Sequence, residues 1–183
     1  SNIMAVLIIT EHNNKEYKSF TLNAISAASQ INEDVHALVL GSNSDSVAKS
    51  ISEIPNVKKV IHVNNSLYEN YLAENYTSAI IKLAYGYSHI ICSANTFGKN
   101  LMPRIAALLD VSQISDITKV VSDDTYIRPI YAGNAFATVK STDKIKCITI
   151  RPTSFDPAPT SGGSAEIQNG NPGDTFDLSK FIK

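Results

Sequence analysis

Hydrophobic positions in the first 110 residues follow two alternating patterns. Short continuous apolar runs recur, and such runs are typical of strands that are buried on both faces. Between these runs, apolar side chains stand three and four residues apart, which indicates amphipathic helices. The predicted strands cover residues 5–10, 35–40, 57–63 and 88–92. The predicted helices cover residues 19–30, 70–87 and 96–110. A further predicted helix begins after a cap at Ser44 or Ser46, carries the apolar residues of 47–51 and ends at Pro55.

This alternation of strand and helix predicts a three-layer α/β/α domain with a mainly parallel sheet. After residue 114 the pattern changes and only strand-like pieces follow. These pieces cover residues 117–121, 125–131, 135–140 and 146–150. Turn-rich connections separate them, so we expect an antiparallel extension on the parallel core. Proline and glycine are frequent near the end of the chain, which predicts a flexible tail or linker over residues 166–183.

Charge and cysteine usage narrow the class of protein. The chain has a formal net charge of -1 and no basic tract, so we expect no binding to nucleic acid. The longest apolar runs have the length of strands, so we expect no membrane insertion. Cys92 and Cys147 lie in apolar runs and are expected to be buried, reduced thiols. Such cysteines indicate a reducing cytoplasm, or an organelle after processing.

Histidines offer no metal site in this sequence. His12, His36, His62 and His89 are scattered, no pair has the spacing of ligands on one helix face, and no Cys-x-x-Cys occurs. Only His12 is expected near the edge of the sheet where ligands bind, together with Gly41. We interpret His12 as a hydrogen-bonded histidine at the end of a strand.

The turn after the fourth predicted strand is the main candidate for ligand binding. Free backbone N–H groups and the helix dipole make the start of a helix attractive to anions. Thr96, Gly98 and Lys99 are therefore candidates for binding an anion or a nucleotide. In the structural alternative, Asn95 or Thr96 caps the helix and Gly98 allows it to pack closely against the strand.

Arginines form a second set of candidates. Arg104 is expected either to pair with Asp116 or to face a partner protein. Arg128 and Arg151 each lie beside a proline, where a guanidinium could orient a carboxylate or phosphate or could simply be solvated. Gly133 interrupts the run from Tyr131 to Asn134, which predicts a bulge or a close backbone approach.

Four segments, in order along the chain, resemble the amino-terminal domain of the alpha subunit of electron-transfer flavoproteins. The segments that carry the resemblance are residues 4–12, 93–117, 128–135 and 150–165. The second is the most distinctive and reads Ser-Ala-Asn-Thr-Phe-Gly-Lys-Asn-Leu-Met-Pro-Arg from Ser93 to Arg104. The resemblance implies an adenine-nucleotide-hydrolase-like α/β domain over residues 4–165, followed by an interdomain linker.

The resemblance also bears on the cofactor. In the family a second domain with a Gly-Gly-Arg-Gly segment follows and holds most of the FAD contacts. We expect that domain to be absent from this chain, so that most of the family's FAD contacts would lie beyond Lys183. No FAD is therefore expected to bind this chain alone.

The resemblance further implies a function for the parent protein. A heterodimer with a beta subunit would carry electrons through FAD from flavin dehydrogenases, such as acyl-CoA dehydrogenases in fatty acid oxidation, to a quinone oxidoreductase. It implies a cytoplasmic location in bacteria and the mitochondrial matrix in eukaryotes. The present chain would be scaffold and docking surface, with no catalysis of its own. Arg128, Tyr131 and Asn134 are the candidates for the partner interface.

One alternative belongs to a different class of function. The turn at residues 92–99 would also suit a stand-alone adenine-nucleotide-binding α/β domain, with Thr96, Gly98 and Lys99 at the phosphate. The strand-like pieces after residue 114 fit that alternative less well, because a simple nucleotide sensor does not need them.

Overall fold

The computed structural model describes residues 4–172 as a parallel sheet between helices, with a small antiparallel sheet beside it. The strands of the large sheet are β1 (Val6–Ile9), β2 (Val35–Gly41), β3 (Val57–Asn64), β4 (His89–Ser93), β5 (Gln113–Ile117), β9 (Lys146–Ile150) and β10 (Glu166–Gly170). The small sheet contains β6 (Lys119–Val120), β7 (Thr125–Ile130) and β8 (Ala135–Lys140). The helices are α1 (Thr21–Ile31), α2 (Asp45–Ser52), α3 (Ala73–Ala84) and α4 (Thr96–Leu109). Short 3₁₀ turns cover Ser66–Tyr68, Tyr131–Gly133 and Pro152–Ser154.

All neighbouring strands of the large sheet run parallel, in the order β10-β3-β2-β1-β4-β9-β5. The chain adds β2 and β3 on one side of β1 and then crosses to place β4 on the other side. The strand order therefore reverses between β1 and β4. In open α/β sheets a crevice forms at such a reversal, outside the carboxyl ends of the strands.

Two apolar cores cover the two faces of this sheet. On one face Ile25 of α1 and Ile51 of α2 are fully buried, together with Tyr126 of the small sheet. On the other face Leu83 of α3 and Ile105 of α4 are almost completely buried. The central strands thus have apolar contacts on both sides, which explains their unbroken apolar runs. The predicted three-layer α/β fold is confirmed.

The pieces after residue 114 are arranged differently from the prediction. The antiparallel strands β6, β7 and β8 form a separate sheet and do not extend the parallel one. The piece at residues 146–150, expected to be antiparallel, is the parallel strand β9 between β4 and β5. Its apolar sequence suits that position, since Cys147, Ile148 and Ile150 are fully buried there.

The predicted strand over residues 117–121 is divided in the structure. Residues 113–117 form β5 in the large sheet, and β6 begins at Lys119 in the small one. Asp116 adopts a left-handed conformation with φ 59°, and its N–H donates to the Thr149 hydroxyl at 2.9 Å. This conformation breaks the regular pairing and redirects the chain out of the large sheet.

The expected tail from residue 166 begins with a regular strand. β10 pairs in parallel with β3 from Glu166 to Gly170, which corrects the expectation of a linker over these five residues. The preceding glycine-rich segment is also attached, because the Gly163 N–H donates to the Glu53 carbonyl at 2.8 Å. Backbone pairing at a sheet edge needs few apolar side chains, so composition alone did not reveal it. The rest of the predicted tail, from residue 173 to Lys183, lies outside the described residues.

Candidate functional site

A crevice of about 520 Å³ lies where the strand order reverses. Glu11 and His12, which follow β1, form one wall, and Thr96 and Phe97 at the start of α4 form another. The segment between β3 and α3 closes the crevice with aromatic side chains. This location agrees with the ligand edge that the sequence predicted, although most of the lining residues differ from the predicted candidates.

Asn95 occupies the start of α4. Its Oδ1 accepts the Gly98 N–H at 3.0 Å, and its Nδ2 donates to Glu11 Oε1 at 2.7 Å. One free N–H of the helix start is thereby satisfied within the protein. A carboxylate also lies next to this helix end, where an anionic ligand would have to bind.

The three anion candidates have different surroundings. Gly98 is buried, and a Cβ added there would lie 2.0 Å from the Ser93 carbonyl oxygen and 2.9 Å from the Cys92 sulfur. The glycine therefore lets α4 pack directly on the end of β4. Thr96 and Lys99 are exposed, and the Lys99 N–H donates to the Asn95 carbonyl at 2.8 Å. These contacts favour the structural alternative, and nucleotide binding by the three residues stays a prediction.

His12 is held by hydrogen bonds on both ring nitrogens. Nδ1 accepts the Asn14 N–H at 2.9 Å, so Nε2 carries the proton and donates to the Leu40 carbonyl at 2.7 Å. Burial lowers the pKa of His12, with the hydrogen bond to Leu40 opposing that shift. The ring is therefore neutral near pH 7 and has no free nitrogen for a ligand, as its interpretation as a strand-end histidine requires.

Sequence reasoning missed a polar cluster beside His12. The Ser44 hydroxyl donates to Asn64 Oδ1 at 3.1 Å and accepts from His62 Nε2 at 2.8 Å. Asp45 Oδ1 lies 3.9 Å from His62 Nδ1. The residue types resemble a Ser-His-Asp triad, but Ser44 is fully buried and its proton is already donated. The cluster holds together the ends of β2 and β3, and polar residues after two adjacent strands were its only signal in the sequence.

A diphosphate does not fit the crevice. FAD carries a diphosphate and AMP a phosphate, and both need N–H groups or cations around their oxygens. The crevice is instead lined by Glu11 and Glu69, and no lysine or arginine is among its described lining residues. We therefore assign no contact with FAD to these residues. The expectation that most FAD contacts lie beyond Lys183 stays a prediction.

The predicted Arg104–Asp116 pair is wrong. Asp116 pairs with Arg151, through Nη2 to Oδ2 at 2.5 Å and Nε to Oδ1 at 3.3 Å. The two residues meet because β5 and β9 are adjacent and both end at this edge of the sheet. Arg104 is exposed and lines a groove between α3 and α4.

The three interface candidates divide between the interior and the surface. Arg128 attaches β7 to β5, since its Nε donates to the Ser115 carbonyl at 2.8 Å and its Nη2 to the Ser115 hydroxyl at 3.1 Å. Tyr131 is 78% exposed and adopts a left-handed conformation, with φ 52°, in the turn between β7 and β8. Asn134 is exposed at the end of the same turn. Tyr131 and Asn134 are thus available to a partner, whereas Arg128 is used internally.

Both cysteines are buried and free. Burial raises the pKa of Cys147 to about 12 and that of Cys92 further, so both are thiols at neutral pH. Over residues 4–172, no group of three or more His, Cys, Asp or Glu side chains could hold a metal ion. None of the helices in these residues is both long and apolar enough to span a membrane.

Comparison with known proteins identifies the family. The sequence profile of the electron transfer flavoprotein domain matches residues 6–174. The chain is 48% identical to the electron transfer flavoprotein subunit alpha of Pseudomonas aeruginosa, over 90% of this chain and 53% of that protein. It is 50% identical to the mitochondrial subunit alpha of Dictyostelium discoideum, over 90% of this chain and 49% of that protein. A probable mitochondrial subunit alpha of Caenorhabditis elegans is 39% identical and matches 100% of this chain and 55% of its own length.

The chain thus spans about half the length of the curated relatives it matches. The four segments that carried the resemblance all lie within or next to the range that the profile matches, and the fold agrees with the one that the resemblance implied. The chain therefore belongs to the electron transfer flavoprotein family and corresponds to the amino-terminal part of its alpha subunits.

Proposed function

We propose that this chain is the scaffold and beta-subunit-docking domain of an electron transfer flavoprotein alpha subunit. It positions the partner and catalyses no reaction itself. The parent heterodimer carries electrons through FAD from flavin dehydrogenases, such as acyl-CoA dehydrogenases, to a quinone-linked acceptor. Family membership supports the electron-transfer role of the parent protein. The chain matches about half the length of each relative, which supports its role as one domain of a larger subunit. FAD would supply the electron chemistry, while the residues of this domain hold neighbouring surfaces in place.

The outer face of the small sheet carries the docking proposal. Antiparallel pairing places Pro129 opposite Phe136 and Ile127 opposite Thr138, so these four side chains share one face. The opposite face contains the pair Tyr126 and Val139, which packs into the domain core. Phe136 is 64% exposed on the outer face.

Exposed aromatic side chains at the end of this sheet favour a protein partner. Tyr131 stands in the turn next to Phe136, and aromatic residues of this kind often contribute most to binding in protein interfaces. β8 is also an edge strand, with β7 as its one neighbour in the part of the chain that the structure describes. An apolar face beside an open strand edge is typical of a surface that another protein covers.

Replacing Phe136 with aspartate tests the docking surface. We expect F136D to weaken binding to the cognate beta subunit at least about tenfold, because a charge would replace a buried aromatic contact. Tyr131→Asp should act in the same direction. Binding is measured by isothermal titration calorimetry and by co-elution in size-exclusion chromatography.

Leu108→Asp is the matched control. Leu108 is also 64% exposed but lies in the groove between α3 and α4, so this variant adds the same charge at a different surface. It should bind like the unchanged chain. Equal binding by F136D and L108D, or no complex of the unchanged chain at high micromolar concentration, would contradict the docking role.

A further inference from the structure

Glu11 is a partly buried carboxylate that lines the crevice and has no ion pair among residues 4–172. Its Oε1 accepts one hydrogen bond, from Asn95 Nδ2 at 2.7 Å. The ion pairs of residues 4–172 involve other acidic groups, so Glu11 lines the crevice without a paired cation. Burial is the main cause that raises the pKa of Tyr71, Tyr76 and Cys92, and the Glu11 charge adds to it at all three, while Arg104 opposes it at Tyr71. A carboxylate in such surroundings favours a cation near it.

Aromatic rings line the same crevice as this carboxylate. The centroids of Tyr71 and Phe97 are 4.8 Å apart, and those of Tyr71 and Tyr76 are 5.0 Å apart. The Tyr71 hydroxyl donates to Asn100 Oδ1 at 2.8 Å, which fixes the ring at the mouth of the crevice. Ring faces attract cations electrostatically, and most strongly where water is partly excluded.

Among the described residues that line the crevice, the other charge acts in the same direction, whereas Arg104, outside the lining, acts against it at Tyr71. Glu69 adds a second carboxylate, and none of the described lining residues is a lysine or arginine. His12 adds no positive charge near pH 7, because both of its nitrogens are engaged in the neutral form. The Asn95 side chain already occupies one of the free N–H groups at the start of α4, that of Gly98. The charged groups that line the crevice therefore favour cations over phosphates and carboxylates.

We propose that the crevice between β1 and β4 binds a small organic cation, an ammonium group carried on a short apolar body. The ammonium lies between Glu11 and the ring of Tyr71, and the apolar body lies against Phe97. The volume of about 520 Å³ is within the range of about 300–1,000 Å³ that small-molecule sites occupy. This site does not depend on docking of the beta subunit, which involves the small antiparallel sheet.

Choline and 3,3-dimethylbutan-1-ol test the proposal, because they share one shape and differ in the positive charge. Each is titrated into the 183-residue chain while amide signals are followed by nuclear magnetic resonance. We expect choline to shift the signals of Glu11, Phe97 and Asn100 and to saturate at millimolar concentration. The neutral alcohol should bind at least about tenfold more weakly. AMP, titrated in the same way, should leave these signals unchanged.

Variants separate the carboxylate from the aromatic wall. Glu11→Gln removes the charge but keeps an oxygen for the Asn95 hydrogen bond, and it should weaken choline binding about tenfold. Tyr71→Leu should weaken choline binding about threefold or more through loss of the ring face. Glu33→Gln is the matched control, because Glu33 is an exposed glutamate that precedes β2 at the opposite edge of the sheet. It should leave choline binding unchanged.

Three results would overturn the proposal. These are equal binding of choline and its neutral analogue, tighter binding of AMP than of choline, or unchanged choline binding in both E11Q and Y71L. Circular dichroism melting curves establish that each variant is folded. If E11Q does not fold, Y71L together with the pair of ligands still decides the question.

Discussion

Replacing Gly98 with alanine is expected to destabilise this domain by more than about 3 kcal/mol, or to prevent folding. The added Cβ would lie 2.0 Å from the Ser93 carbonyl oxygen, a distance that no real contact tolerates. This neighbour is backbone at the end of the central strand β4, so neither a rotamer change nor a small local shift relieves the clash. The start of α4 would have to move away from the sheet, which would also disturb the hydrogen bond from Asn95 to Glu11.

Urea unfolding measures this effect, with Gly133→Ala as the matched control. Gly133 lies in the exposed turn between β7 and β8, and a Cβ added there would meet nothing within 4 Å. Its positive φ of 87° makes alanine cost only about 1 kcal/mol. A G98A variant as stable as G133A would show that α4 does not pack on β4 in the way described.

Acidification is expected to cause the second large loss of stability, up to about 5 kcal/mol between about pH 7.5 and about pH 5.5. Burial lowers the pKa of each of the four histidines, His12, His36, His62 and His89, from its ordinary 6.5. The unfolded chain then binds more protons than the folded one as the pH falls. Stability is therefore fully present above about pH 7.5 and is lost as the pH falls through 6.5 toward the lowered values of the folded state.

Charged neighbours modify this loss at three of the histidines. Asp34 opposes the lowering at His36, while Lys59 adds to it. Asp45 opposes the lowering at His62. At His89, Lys146 adds to the lowering, whereas Asp123 opposes it mainly through its carbonyl, 2.6 Å from Nε2. Burial is the largest cause in each case, so the direction of the pH dependence is the same at all three sites.

Urea titrations at several pH values measure this dependence as a slope in free energy of unfolding. Four histidines give at most about 5.5 kcal/mol per pH unit, since one proton corresponds to about 1.4 kcal/mol per pH unit. His12→Gln should reduce the slope by about one proton, because glutamine can still donate to the Leu40 carbonyl. The slope of the free energy of unfolding corresponds to the difference in bound protons between the unfolded and the folded chain. If that difference is below about one proton between pH 6.5 and about pH 5.5, the histidines titrate in the folded chain as they do in the unfolded one.

Local patterns of residues were sufficient to predict the layers of the fold. The runs that form β1 and β2 are continuously apolar because both faces of these strands are covered. Each residue of such a strand must be buried whatever its neighbours are, so the run is visible in the sequence. The cap of α4 was predictable for a similar reason, since Asn95 bonds to a group only three residues away. The segment from Ser93 to Arg104 also carried the family resemblance, because a turn of fixed geometry restricts several adjacent residues together.

Contacts between distant residues decided everything that these patterns left open. The sequence contains no signal that β9 lies between β4 and β5, or that β10 pairs with the edge of β3, because strands of similar composition can pair in many orders. Asp116 thus meets Arg151, 35 residues away, instead of the nearer Arg104. The candidate site also depends on contacts between residues that are distant in the sequence. In the sequence Glu11 is one more acidic residue after a strand. Only the packing of α4 and of the segment before α3 places it in an aromatic crevice, where it has no ion pair among the described residues.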